Sequence, residues 1–285
     1  MPLLLQIMLC AAFGGIASAA FAIVFLWVPE EKSARILPHF VSFATGALLG
    51  AALLALLPEA VERAGTAGAH AIGVALVIGL GVFFVIEKLV LWWHAHAHEN
   101  GVSGAHYCPQ HADAVAPAHH RHETPGHGGA GHVHDRDRAS GVLVLVGDSL
   151  HNALDGVLIA AAFLSNESLG FMTTFAVAAH EIPHRVGDFA ILVQAGLSRQ
   201  RALLLNLATG IASVVGALAA FVGLRNTMGA LPYALAVAAA GFLYIAVAGL
   251  IPGLHRRADP RTSAIQVVLI GAGIAVIAWA EWLTH

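Results

Sequence analysis

Long apolar runs, separated by short polar or turn-forming stretches, recur along this chain. Eight of them, at about 3–28, 36–58, 69–93, 141–164, 169–195, 200–223, 229–251 and 263–283, approach the ~20 residues a helix needs to cross a bilayer. The pattern predicts an all-α polytopic membrane protein. It divides into helices 1–3 over 1–93, a polar loop over 94–140, helices 4 and 5 over 141–196, and helices 6–8 over 197–285.

Composition agrees with that pattern. Of the 285 residues, 58% are hydrophobic and only 11% charged, with a mean hydropathy of +0.76, whereas ordinary soluble domains are about a quarter charged. A net charge of −3 leaves no broad cationic face for nucleic acid. The exception to this poverty of ionisable groups is histidine, with 18 copies.

Orientation follows from the basic residues, since cytoplasmic loops are enriched in them. With the N-terminus outside, the inner loops hold Lys32, Arg35, Lys88, Arg121, Arg136, Arg138, Arg199, Arg201, Arg256, Arg257 and Arg261, and the outer loops only Arg63 and Arg225. Both termini are therefore expected outside and the 94–140 loop in the cytoplasm. Short connections elsewhere predict a multi-pass protein of a bacterial inner (plasma) membrane. The loop contains eleven of the histidines, among them His94, His96, His98, His119, His120 and His122. Interleaved Gly, Ala, Pro and Asp give it no apolar face, so it is expected to be disordered and to contact metal loosely through neutral imidazole. The plainer reading is a polar linker of biased composition.

The remaining basic residue, Arg185, lies within a span, and so do most of the other chemically versatile groups. Ionisable residues at membrane depth are costly and mark function by default. The fourth span reads Gly147-Asp148-Ser149-Leu150-His151-Asn152-Ala153-Leu154-Asp155-Gly156, and the fifth His180-Glu181-Ile182-Pro183-His184-Arg185-Val186-Gly187-Asp188. Residues three or four apart share a helix face. His151 and Asp155 therefore align with Asp148 and neighbour Asn152, while His180, His184 and Asp188 form a second stripe beside Glu181. Two such stripes face to face make a divalent-metal site suited to Zn²⁺ and tolerant of Fe²⁺, Mn²⁺ or Cd²⁺. Pro183 cannot hydrogen-bond the Ala179 carbonyl, which predicts a kink and a water-accessible point. The plainer alternative is a polar network that only joins two helices. Elsewhere, Gly210, Gly216, Gly241 and Gly249 are expected to permit close helix packing.

At these residues the chain resembles the ZIP (Zrt/Irt-like protein) family of divalent metal transporters, in the branch whose fifth-helix signature is HExPHE. The likeness rests on His151-Asn152 with Asp155-Gly156, on His180-Glu181-Ile182-Pro183-His184 followed by Gly187-Asp188-Phe189-Ala190-Ile191-Leu192, on Phe83–Lys88, on Leu57-Pro58-Glu59 and on the His-rich loop. The resemblance implies eight helices in a 3+2+3 inverted-repeat arrangement, alternating access, a homodimer with a second copy of the chain as partner, and metal import into the cytoplasm. It also implies that His151, Asp155, His180 and His184 hold one metal. Asn152, Asp155, Glu181 and His184 would hold a second, with Asn206 as a further ligand. This sequence departs from that pattern where Ala51 and Ala55 replace Asp and His of the second span. Arg185 likewise stands where the branch has Glu. A guanidinium there is expected to neutralise Asp148 or Asp188, or to take the second metal's place.

Two other functions are compatible with the same residues. A metal sensor or regulator would bind the ion without passing it. An intramembrane metallopeptidase would use His180 and His184 as ligands and Glu181 as general base, in the manner of HExxH. Against the latter, Pro183 disturbs the helix that should present both histidines, and a hydrolytic zinc needs only three protein ligands and a water.

Overall fold

The computed structural model describes residues 2–20, 30–99, 130–194, 196–255 and 259–284, and these residues are helical with short connections and contain no strand. Helix α1 (Leu3–Ala12) passes into a π-helical turn, Phe13–Ala17. Helix α2 (Glu30–Gly50) passes into another, Ala51–Leu56, and leads directly into α3 (Leu57–Glu99). The central pair is α4 (Ala130–Ser165) and α5 (Glu167–Gln194). Beyond them come α6 (Arg199–Thr209), α7 (Ile211–Arg225), α8 (Leu231–Tyr244) with a π-helical continuation Ile245–Leu250, α9 (Ile251–His255) and α10 (Pro260–Thr284).

Five described stretches are long and apolar enough to cross a bilayer unaided: Leu3–Ala20, Arg35–Leu89, Arg199–Arg225, Met228–His255 and Pro260–Leu283. The second, at 55 residues, would measure about 80 Å as a straight helix. It breaks at Gly65, where φ is 67° and ψ 174°. A positive φ is disfavoured for any residue with a Cβ, so this glycine supplies the reversal between the predicted second and third spans. The central helices α4 and α5 are long as well, but the site residues dilute their hydropathy.

Helix α5 continues through Pro183 from Glu167 to Gln194, so the proline removes a hydrogen bond without ending the helix. It stops in a Schellman motif. Gly196 (φ 85°) donates its N–H to Val193 O, and Leu197 to Leu192 O, with Leu197 packed in the same apolar cluster as Leu192. Ser198 then caps α6 by accepting the Arg201 N–H.

The polar loop is narrower than its composition predicts. Helix α3 runs on through Glu99 and α4 begins at Ala130, because a helix already nucleated in the membrane adds residues at its ends at little cost. His119, His120 and His122 lie outside the described residues, as do the side chains of His94, His96 and His98.

Two bundles meet along α4 and α5. Helix α4 packs on α5, α7 and α1, whereas α3 packs on α8 and α2 on α10. The helices on the two sides of this pair share several features. Each π-helical segment, Ala51–Leu56 and Ile245–Leu250, is followed by a helix with proline in its second position, Pro58 or Pro252. Pro252 lies as far behind Pro58 in sequence as Gly273 lies behind Gly79. Exchanging the two sides turns the α2–α10 contact into the α8–α3 contact, as a twofold repeat requires.

Within the bundles the helices approach closely at small residues. A Cβ on Gly156 of α4 would lie 1.8 Å from Ser213 O of α7, and one on Gly216 of α7 would lie 2.0 Å from Ala153 O of α4. Gly210 meets Gly15 O in the same manner, and Gly241 meets the Phe83 ring. Because backbone, not a flexible side-chain end, blocks Gly216, Gly216→Val should push α4 and α7 apart. We expect a loss beyond the ~1–3 kcal/mol of ordinary overpacking, read as a lower melting temperature and aggregation in detergent.

Candidate metal centre

Helices α4 and α5 bring the two predicted stripes face to face. His151 Nε2 lies 3.2 Å from His180 Nε2, and Asp155 Oδ2 lies 3.7 Å from the first and 3.4 Å from the second. These three ligand atoms fall within 4.8 Å of one another. Asp155 is only 1% exposed, and neither of its carboxylate oxygens has a hydrogen bond. His180 Nδ1 lies 3.1 Å from the carbonyl of Ala176 one turn earlier. With the proton on Nδ1, the ring donates there and leaves Nε2 as a lone pair pointing at Asp155, the arrangement that orients histidine ligands in metal sites.

His184 is placed differently. Its ring stacks on that of His151, with centroids 5.2 Å apart and planes 14° apart. Its Nδ1, however, lies 2.8 Å from Asp188 Oδ2 and 3.8 Å from Asp148 Oδ1. The side chain is 41% exposed, in contrast to buried His180.

Arg185 is entirely buried and fills the space beside the histidine cluster. Nη1 donates to Asp148 Oδ2 at 2.9 Å, to Asn206 O at 2.8 Å and to Asn206 Oδ1 at 3.1 Å, as well as to Thr209 Oγ1. Nη2 donates to Asn152 Oδ1 at 2.6 Å and to Gly15 O at 3.4 Å. Nε faces Glu181 Oε2 at 3.2 Å. Asn206 Nδ2 returns a bond to Arg185 O at 3.0 Å, and Asn152 Nδ2 holds Asp148 Oδ1 at 2.9 Å. The amide oxygens of Asn152 and Asn206 are thus committed to the guanidinium. Of the alternatives open for Arg185 in the sequence, the geometry has it on Asp148, not Asp188.

Sequence spacing did not identify Thr209 or the Gly15 carbonyl as part of this cluster. Gly15 lies in the Phe13–Ala17 π-helical turn, where a widened turn turns carbonyls away from their regular partners, but nothing in the residue types announces it. Ala51 and Ala55 are buried in the π-helical turn of α2 and bring no ligand atom. Glu87 lies away from the centre and accepts a hydrogen bond from Tyr244 of the neighbouring helix α8.

On the N-terminal side of His180 the packing is apolar: Leu158, Ile159 and Phe163 of α4 with Leu169, Met172 and Val177 of α5 are all buried. At that end, Arg63 bonds Glu59 at 2.6 Å and the Ser165 carbonyl, and Ser165 Oγ donates to Glu59 at 2.6 Å. Gln6 bonds Glu167 nearby.

A ZIP Zinc transporter family model matches residues 2–281, nearly the whole chain. The chain belongs to the ZIP zinc transporter family. Zinc transporter SLC39A7 of Rattus norvegicus is 34% identical over 92% of this chain and 69% of its own length. Zinc transporter ZIP13 of Homo sapiens is 34% identical over 87% of the chain and 71% of its own. Zinc transporter ZIP13 of Danio rerio is 30% identical over 96% and 87% respectively. Membership in the ZIP family agrees with the all-helical, membrane-spanning architecture and with zinc as the substrate these relatives are named for.

Proposed function

We propose that this ZIP protein crosses the membrane eight times, with both termini outside, and imports Zn²⁺ into the cytoplasm by alternating access through the cluster of His151, Asp155 and His180. The observation that carries this reading is the Asp155 carboxylate. It is sealed from solvent and lacks any hydrogen bond, while two imidazole nitrogens surround it. Leaving a polar group so buried costs about 1–3 kcal/mol, and more for a charged one. A divalent cation bound to all three side chains removes that cost, whereas a mere structural network would have satisfied the oxygens with donors. Fe²⁺, Mn²⁺ and Cd²⁺ suit the same donors.

Access to this cluster differs on its two sides. The apolar packing of Phe163 and Met172 and the polar ties at Ser165 close the end predicted to face outside, and exposed His184 opens the other. Such an arrangement belongs to a carrier facing the cytoplasm. Glu181 is fully buried and faces Arg185, a poor position for a general base that must deprotonate a solvent-derived water. This weighs against the metallopeptidase reading.

The test is uptake of Zn²⁺ into proteoliposomes that contain a fluorescent zinc reporter. Uptake above protein-free liposomes is expected, and binding without uptake would instead establish a sensor. Protons compete with metal for imidazole lone pairs. Acidifying the loading side should therefore lower the initial rate, measured across a series of external pH values at fixed internal pH.

A further inference from the structure

Residues 57–64 open α3 between two irregular pieces of backbone. Before them lies the π-helical turn Ala51–Leu56, and after them Gly65, at φ 67° and with nothing within 4 Å of where a Cβ would stand. A widened turn on one side and a reversal in open space on the other let a short segment swing as a unit. Glu59 and Arg63 lie one turn apart on this segment and reach the end of α4. The Glu59 carboxylate accepts the Arg63 Nε–H and the Ser165 Oγ–H, each at 2.6 Å, and Arg63 Nη2 donates to the Ser165 carbonyl.

The turn between α4 and α5 does not need these bonds for its own shape. Asn166 donates its N–H to Ala162 O at 2.9 Å, and its side-chain oxygen accepts the Ser168 N–H at 2.9 Å, which ends one helix and starts the next. The three bonds therefore act on position, pinning the tip of the central pair to α3.

We propose that Glu59, Arg63 and Ser165 form a latch that holds the outer route shut and must open each time an ion loads from outside. This rests on the transport reading above and names the residues that set its outward-opening step. Arg63 is exposed, and Glu59 and Ser165 are half-buried. Water can replace each bond as it breaks, so opening costs little, as a step repeated in every cycle requires. Room for the movement exists as well, since Arg63 lines a cavity of about 570 Å³ with Gly68, Met228 and Tyr233. Released from Ser165, the guanidinium can withdraw into it. On the same end of α5, Thr173 lies seven residues before His180, two turns away on one helix face, and is fully buried. Parting of α3 from Ser165 admits water to that face.

The experiment uses the full-length, metal-free chain in detergent, in a Cys10→Ser, Cys108→Ser background, with Thr173→Cys as reporter and a charged maleimide as probe. Glu59→Gln and Ser165→Ala should each speed labelling of the reporter several-fold over the parent. Ser165→Thr, which keeps the hydroxyl, should match the parent. Leu192→Cys, fully buried toward the other end of α5, is the control and should stay unreactive. In proteoliposomes, Glu59→Gln should lower the KM for Zn²⁺ uptake because more carriers face the loading side, whereas a merely structural loss would lower the rate with KM unchanged. A Glu59→Cys, Ser165→Cys chain joined by a short bis-methanethiosulfonate should stop carrying Zn²⁺ and resume once the link is reduced. Parental labelling in Glu59→Gln and Ser165→Ala, equal acceleration at Leu192→Cys, or undiminished uptake through the joined chain would each overturn the latch while transport by the parent stands. A parent that passes no Zn²⁺ would overturn the transport reading, and the loading role of the latch with it.

Discussion

Replacing Arg185 by glutamate should raise the zinc bound at the intramembrane centre from one ion to two. The region holds the carboxylates of Asp148, Asp155, Glu181 and Asp188 against the single guanidinium of Arg185. With one divalent ion present, the balance is near neutral. Exchanging the cation for an anion adds a ligand and frees Asn152, Glu181 and Asn206, whose polar atoms now face Arg185. A second ion then restores the balance. Without metal the same variant should be strongly destabilised, because breaking a buried charge pair costs about 3–5 kcal/mol. Zinc at a hundredfold excess over its Kd should return about 2.7 kcal/mol per site. Titration calorimetry gives the stoichiometry, and thermal melts with and without chelator give the stability. Arg185→Met removes the cation without adding a ligand and should stay at one ion. Were Arg185→Glu also to bind a single ion, Arg185 would be a structural tie and not a substitute for a metal.

Asp155→Asn should bring zinc uptake to the level of protein-free liposomes. The carboxylate is the one anionic member of the buried cluster, 3.7 Å from one imidazole and 3.4 Å from the other. An amide is similar in shape, so packing should survive and the melting temperature of the metal-free protein should not fall. The metal affinity of the buried cluster should drop by more than the roughly 10–100-fold that loss of an outer-shell partner costs. The metal-free variant could even be more stable, since a neutral group replaces a buried carboxylate that has no donor. Uptake near the wild-type rate would show that the ion takes another route.

Much of this centre was legible from spacing alone. Residues one turn apart on α4 and on α5 had to share faces, and the two faces do meet. The all-helical, membrane-spanning character was equally legible in the apolar runs. What spacing could not supply was the partition of the ligands. His180 and His184 share a stripe, but one ring turns into the buried cluster while the other swings toward Asp188. That choice depends on the Ala176 carbonyl, which can take the His180 Nδ1 proton, and on which carboxylates Arg185 has already engaged. The reach of Arg185 to Gly15, Asn206 and Thr209 was equally hidden, since it joins segments distant in sequence. Helix ends near 94–140 were underestimated because composition reports burial, and a helix can run past the membrane without any.

Arg185 ties the turn after α1 to α4, α5 and α6, joining these four segments through one buried side chain. Buried alanines are frequent in the helices around this core: Ala44, Ala47, Ala51, Ala52 and Ala55 in α2 and its π-helical turn, Ala236, Ala239 and Ala240 in α8, and Ala160 and Ala176 in α4 and α5. Large side chains would interlock there, and each displacement would require them to change rotamer together. Methyl groups present a shallow relief, which would let packed helices shift with little repacking in the alternating access proposed above. The alanine content that made the sequence read as merely hydrophobic would thus give such a carrier a bearing surface.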